Sequence, residues 1–427
     1  MFLDNGKQMV IGFELNKDYS QLSFCALNQS MPDTLSLVTG MEEYAIPTAL
    51  AGRRVEDTPG QYKLLWSVGK DTRSLAPEDN LFIIDNLLDN LESDTSVVLG
   101  DEEFMPDQLL CIYLKKCFSL LVAAGHQEDV VGIAITSEAL SGKIMQTISQ
   151  NFTQVPVFFL NRQECFYQYM LHQPQEMWMH DCLLFEYQED FLLGIRFEHN
   201  PMARPVVCMT TQVCFEGKKK LTFVSETEKK NQDAQLSEAI DELSRGRAIS
   251  CTFLLGDGFS RDWCRQSLNK LCRFGRVFQG NNLYSKGACY GARERVSPSS
   301  LSTQYVYLGE NKLRCNVGMD VCERGKDGYL PMLHAGVDWT QASYRREFIL
   351  AKNNTLRLHI TPVDGGKERT ADITLDYFQI RGNATNRIEL YLQMIKPDTL
   401  HVEVKDLGFG EIFPSRGTLW QDDLIIS

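Results

Sequence analysis

The sequence has no long hydrophobic run. Nothing approaches the ~18–20 consecutive apolar residues of a membrane span, and the most apolar stretch, Phe118 to Ala124, reads as a buried helical turn. The opening Met-Phe-Leu-Asp-Asn-Gly-Lys has no basic segment followed by a hydrophobic core, so no secretory signal is expected. The 13 cysteines never form a Cys-x-x-Cys pair, and the seven histidines are equally scattered. That spacing argues against a zinc site or a disulfide framework and suits core packing in a reducing compartment. A cytoplasmic protein with no metal centre is the expectation. A basic surplus is missing as well: 43 Lys and Arg face 56 Asp and Glu, a net charge of −13. A phosphate-backbone binder normally shows a basic face, so neither nucleic acid nor membrane is an expected partner. The run Lys218-Lys219-Lys220 reads as a solvated loop.

What is present is the material of a folded protein. Hydrophobic residues at 43% and charged residues at 23% exclude a disordered chain. At ~100–200 residues per domain, 427 residues imply two or three domains. Val10 to Phe13 and Gln21 to Leu27 read as strands of a hairpin, and Tyr62 to Val68 as a further strand. Pro106 opens an amphipathic helix with apolar residues three and four apart: Leu109, Leu110, Tyr113, Leu114, Cys117, Phe118 and Leu121. Strand Val130 to Ile135, helix Ser141 to Asn151, strand Val155 to Leu160 and helix Gln163 to Leu171 follow. A second hairpin is expected from Cys182 to Glu186 and Phe191 to Phe197, a short helix at Leu236 to Leu243, and a strand Thr252 to Leu255 ending in Gly256-Asp257-Gly258. This is an α/β body over 1–295. A small-residue linker spans 296–303, and 304–427 reads as an all-β sandwich with alternating strands such as Ile388 to Leu392 and Leu400 to Val404.

The two-hairpin body resembles the α/β actin-like two-lobed ATPase fold shared by actin, sugar kinases and heat-shock chaperones. The segment order is most similar to a DnaK-type heat-shock chaperone. Ile11-Gly12-Phe13-Glu14-Leu15-Asn16-Lys17-Asp18-Tyr19-Ser20 stands where that family has I-G-I-D-L-G-T-T-N-S. Val130 to Thr136 resembles its A-V-I-T-V-P strand, Leu160-Asn161-Arg162 its I-N-E-P-T, and Leu254 to Gly258 its adenosine loop. Ser285 to Ala292 resembles the E-A-V-A-x-G-A-A helix. Arg387 to Leu392 and Asp398 to Gly410 resemble the later part of its peptide-binding sandwich. No helical lid is expected after that sandwich, and Pro298-Ser299-Ser300 replaces the family's apolar acidic linker.

The resemblance implies ATP or ADP with Mg²⁺ as cofactor. Such a site needs glycine amides around phosphates, carboxylates holding the metal through water and a carboxylate positioning the attacking water. This chain departs from each. Glu14 replaces the first Asp, and Asn16, Lys17 and Asp18 replace Gly-Thr-Thr. Glu186 takes the second Asp position, and Tyr187-Gln188-Glu189-Asp190 stands where that family has G-G-G-T. Arg162 replaces the catalytic Glu. Lys17 is a candidate phosphate contact or an exposed turn lysine, and Lys70 a candidate catalytic lysine or a surface one. Gly256, Gly258 and Arg261 keep a loop-to-helix turn that serves either an adenosine site or a tight connection. By resemblance, Met319, Cys322, Phe348, Leu358 and Ile360 fall near the family's peptide cradle, where an extended segment binds through main-chain hydrogen bonds; plain core is the alternative. No catalytic residue is assigned. The expectation is a non-hydrolysing or weakly nucleotide-binding module with a protein or peptide client. Its rivals are a divergent ATP-hydrolysing chaperone and an actin-like assembly scaffold.

Overall fold

The computed structural model describes residues 8–426 except 39, 59–60, 71, 76–79, 101, 188–191, 216–224, 281, 310, 351–353, 364, 377 and 379–385. It divides into two compact units, Met1–Phe197 with Thr211–Ser302, and Glu198–Thr210 with Thr303–Ser427.

The first unit begins with the hairpin β1 (Gln8–Leu15) and β2 (Tyr19–Ala26), then two-residue strands β3 (Asp33–Thr34) and β4 (Ile46–Pro47). A three-stranded antiparallel sheet follows: β5 (Leu50–Thr58), β6 (Gln61–Ser67) and β7 (Leu81–Ile84). Next come α1 (Leu87–Ser93), the small hairpin β8 (Val97–Leu99) and β9 (Glu102–Phe104), and α2 (Pro106–Ala123). β10 (Asp129–Thr136), α3 (Gly142–Asn151), β11 (Val157–Phe159) and α4 (Arg162–Leu171) complete the first half. The second half runs β12 (Asp181–Tyr187), β13 (Leu192–Asn200), β14 (Val206–Phe215), α5 (Glu226–Ser244), β15 (Ile249–Leu255), α6 (Arg265–Phe274), β16 (Arg276–Gln279) and α7 (Leu283–Val296).

Two six-stranded sheets organise these elements, in the orders β11-β10-β1-β2-β3, with β4 also on β2, and β16-β15-β12-β13-β14-β17, where β17 is Tyr305–Tyr307. In each, the leading hairpin strand has its hairpin partner on one side and a parallel strand on the other: β1 beside β10, β12 beside β15. A second parallel strand lies outside it, β11 or β16. One strand order is thus used twice, in a mixed α/β arrangement. β1 is buried at every position after Gln8, as a strand covered on both faces must be.

The helices pack according to their sequence period. In α2, Leu109, Leu110, Tyr113, Leu114, Cys117 and Leu121 are buried and Pro106 opens the helix. α7 lies directly on β1: a Cβ on Gly12 would stand 2.1 Å from the Ser285 carbonyl oxygen, so only glycine admits that approach. α5 is longer than the eight residues its apolar pattern predicts. Ser225 caps it by accepting from the Glu228 N–H, and its early buried residues are Gln232 and Asp233, which carry no hydrophobic period. Residues 296–303, expected as a linker, close α7 at Val296 and open the short helix α8 (Leu301–Gln304).

The second unit contains two four-stranded antiparallel sheets. β18 (Cys315–Glu323), β19 (Lys326–Leu333), β21 (Thr355–Pro362) and β22 (Arg369–Thr374) make one, in the order β19-β18-β21-β22. β20 (Ser343–Leu350), β23 (Asn386–Lys396), β24 (Thr399–Asp406) and β25 (Leu419–Ile425) make the other, in that order. Strict alternation along β23 and β24 turns Ile388, Leu390, Leu392, Val402 and Val404 inward, where they share a core with Val317, Leu358 and Ile360 of the facing sheet.

Candidate functional site

Glu14 is the penultimate residue of β1 and Glu186 the penultimate residue of β12, so the repeated topology puts a carboxylate at the same place in each sheet. Both are buried. Arg162, the first residue of α4, reaches both. Its Nη1 donates to Glu186 Oε1 at 2.5 Å, and its Nη2 lies 3.7 Å from Glu14 Oε1 and 3.9 Å from Glu138 Oε2. Nη2 also donates to Asn16 Oδ1 at 3.3 Å. Asn16 in turn donates Nδ2 to Glu14 Oε1 (2.8 Å) and accepts the Glu138 N–H (3.1 Å). On the other side the guanidinium lies 4.8 Å from the centre of the Tyr284 ring, and the Tyr284 hydroxyl donates to Glu186 Oε2 at 2.9 Å. The arrangement is a buried cation ringed by three carboxylates, an amide and an aromatic face.

The electrostatics follow from this packing. Burial pushes the Glu14 carboxyl up to about 7, against the opposing pull of Arg162 and the Asn16 hydrogen bond. Glu138 is raised by the same cause, and Tyr284 is driven well above the usual phenol range. Burial opposes charge on Arg162, but Glu186 leads the groups that offset it and hold its proton more firmly than usual. Among the described residues, Glu14 Oε2 and Arg162 Nε have no hydrogen-bond partner.

The remaining expected nucleotide contacts lie elsewhere. Lys17 forms a surface ion pair with Asp89 at 2.8 Å, and Lys70 pairs with Glu43 at 2.6 Å. Gly256 has φ +91°, and a Cβ there would stand 2.8 Å from the Tyr187 carbonyl oxygen, so the turn needs glycine for its own packing. The Gly258 carbonyl accepts from Trp263 Nε1 at 2.7 Å. Phe259 and Trp263 stack at 5.9 Å and both meet the Tyr187 ring edge-on, which fills the inside of this loop with its own aromatic side chains. Arg261 is exposed. Glu164 pairs with Arg295 at 2.7 Å. Glu189, Asp190 and the lysines 218–220 lie outside the described residues. No group of three or more His, Cys, Asp or Glu among the described residues is placed to hold a metal ion.

In the second unit, Met319, Cys322 and Phe348 line one cavity of about 660 Å³ at the ends of β18 and β20 and the start of β21. Leu358 and Ile360 do not reach it. They are buried in the core, opposite Met319 and Val317 in the β18–β21 ladder. Among the described strands, β20 lies at the edge of its sheet and pairs with β23. Sequence reasoning missed Glu138 and Tyr284, which carry no local motif and reach the site only through tertiary folding.

No curated protein matches the chain. Among solved structures, one match is titled a crystal structure of a ROK family transcriptional regulator, homolog of E. coli MLC protein. It is 10% identical over 70% of this chain and 81% of that one, with a TM-score of 0.37, and at that score the likeness adds nothing to the fold argument. Residues 312–426 match the model described as a domain of unknown function (DUF8552). Residues 31–310 match the model described as "Family of unknown function (DUF5716) C-terminal", and with that match spanning more than half its length, the chain belongs to the DUF5716 family.

Proposed function

We propose that this chain is a DnaK-like, two-lobed actin-type protein that does not hydrolyse ATP and serves as a protein- or peptide-binding module in the cytoplasm. The observation that carries the reading is the position of Arg162. In an actin-type cleft the two strand-end carboxylates face the metal and the phosphates. Here a guanidinium already bridges Glu14 and Glu186, so the charge those carboxylates would offer a metal is spent internally. A phosphate chain entering beside three carboxylates meets repulsion and no free glycine cradle. Phosphoryl transfer depends on positioning and electrostatics, and both are missing.

The binding half of the reading rests on the sandwich. The cavity at Met319, Cys322 and Phe348 adjoins β20, whose outer edge pairs with no other described strand, and the combination suits an extended segment with one apolar anchor. A permanently unfolded probe, reduced and carboxymethylated α-lactalbumin, should bind saturably in fluorescence anisotropy. Phe348→Asp should weaken that binding by about tenfold or more. The same preparation should show no ATP turnover. Absence of binding to the unfolded probe, or turnover that disappears in Glu186→Ala, would overturn the proposal.

A further inference from the structure

The sandwich unit contains a second cavity, of about 620 Å³, built by different segments from the one beside Phe348. Residues 312–315 leading into β18, the β21–β22 connection, the β23–β24 turn and Ile426 form its walls. The volume lies within the ~300–1,000 Å³ typical of small-molecule sites. Its floor is apolar: Leu313, Cys315 and Ile426 are buried. Its lip is basic, with Lys312, Arg314, Lys367 and Arg369 against the carboxylate of Asp398 among the described lining residues. This reverses the balance of a chain whose net charge is −13.

The walls are set before any ligand arrives. The Val363 N–H donates to the Arg314 carbonyl at 3.1 Å, and the Ile426 N–H to the Asp398 carbonyl at 2.8 Å. Glu368, interleaved among the cations in sequence, faces His359 at 3.6 Å. Arg314 and Lys367 are exposed and form no ion pair among the described residues. Arg314 and Lys367 thus bring two exposed cations to one opening, and a preformed wall spares a ligand the entropy of ordering it.

We propose that this cavity binds a small amphipathic anion. Its apolar body lies on Leu313, Cys315 and Ile426, and its carboxylate or phosphate head meets Arg314 and Lys367. The planar arginine fork suits either head group. Isothermal titration of the full chain with decanoate and with decyl phosphate tests this and shows which head is preferred. Decanol and inorganic phosphate supply the body and the head alone. At least one of the two anions should fill one saturable site, with decanol and phosphate each weaker by about tenfold or more. The double variant Arg314→Glu, Lys367→Glu should lose about tenfold or more in affinity while its ligand-free melting temperature stays unchanged. No saturable binding of either anion, equal binding of decanol, or an unaffected double variant would overturn the proposal.

Discussion

Arg162 occupies the first position of a helix, the end where the macrodipole disfavours a cation. It is also buried, which costs several kcal/mol for an unpaired charge. Both penalties are offset by Glu186, Glu14 and Glu138, so the arginine and the carboxylates are stable only together. Arg162→Ala should therefore destabilise the protein by about 3–5 kcal/mol, the usual result of orphaning one side of a buried ion pair. Denaturant unfolding checks this, and a loss under about 1 kcal/mol would contradict it. Glu14 makes a separate prediction. Its carboxyl sits at about 7 in the folded protein against 4.5 for the ordinary group. Between those values the folded chain keeps a proton that the unfolded chain has released. Its contribution is thus complete below pH 4.5 and is lost as pH rises through about 7. At 1.36 kcal/mol per unit, the wild type should lose about 3 kcal/mol relative to Glu14→Gln between pH 4.5 and 7.5. Parallel stability curves for the two proteins would show that Glu14 does not titrate in this way.

At the scale of elements, α7 is the piece whose composition matters most. Its small residues let it approach both α4 and β1: a Cβ on Gly287 would stand 2.1 Å from the Cys165 carbonyl oxygen, a backbone atom that cannot swing aside. Gly287→Ala should cost at least about 1–3 kcal/mol as overpacking. Gly142→Ala, at the first turn of α3 with nothing within 4 Å, should be neutral or stabilising by up to about 1 kcal/mol. Thermal melts of the two variants make the comparison, and equal effects would refute the packing account.

The same elements show what a sequence can convey. Both hairpins, α2 and α4 are legible because their apolar residues recur at the right period or in short buried runs. β5 and β7 were not legible: outside Leu50, Ala51 and Gly52, β5 reads Arg-Arg-Val-Glu-Asp-Thr, half exposed, and gives no alternation to detect. In the site, Glu14, Asn16 and Glu186 are legible from their places at strand ends, and Arg162 from its place after a strand. Their contact with Arg162 is not, because it joins residues 24 to 148 positions apart. Lys17 was read as a phosphate contact or an exposed lysine. It turns to Asp89, a partner visible only once α1 lies beside the hairpin turn.

For the whole molecule, one strand order used twice brings two equivalent carboxylates toward a single arginine, while the second unit carries two cavities of different character. The acidic balance of −13 has a local counterpart around Arg162, where three carboxylates surround one cation. In the proposed reading Arg162 takes the place of a bound cation between the carboxylates, leaving no competent nucleotide site. Calorimetric titration of the intact chain with ADP-Mg²⁺ tests it most directly. The account predicts no saturable heat up to millimolar nucleotide and, since a ligand confined to the folded state raises its stability, no rise in melting temperature. A stoichiometric isotherm with micromolar affinity, accompanied by a higher melting temperature, would contradict it.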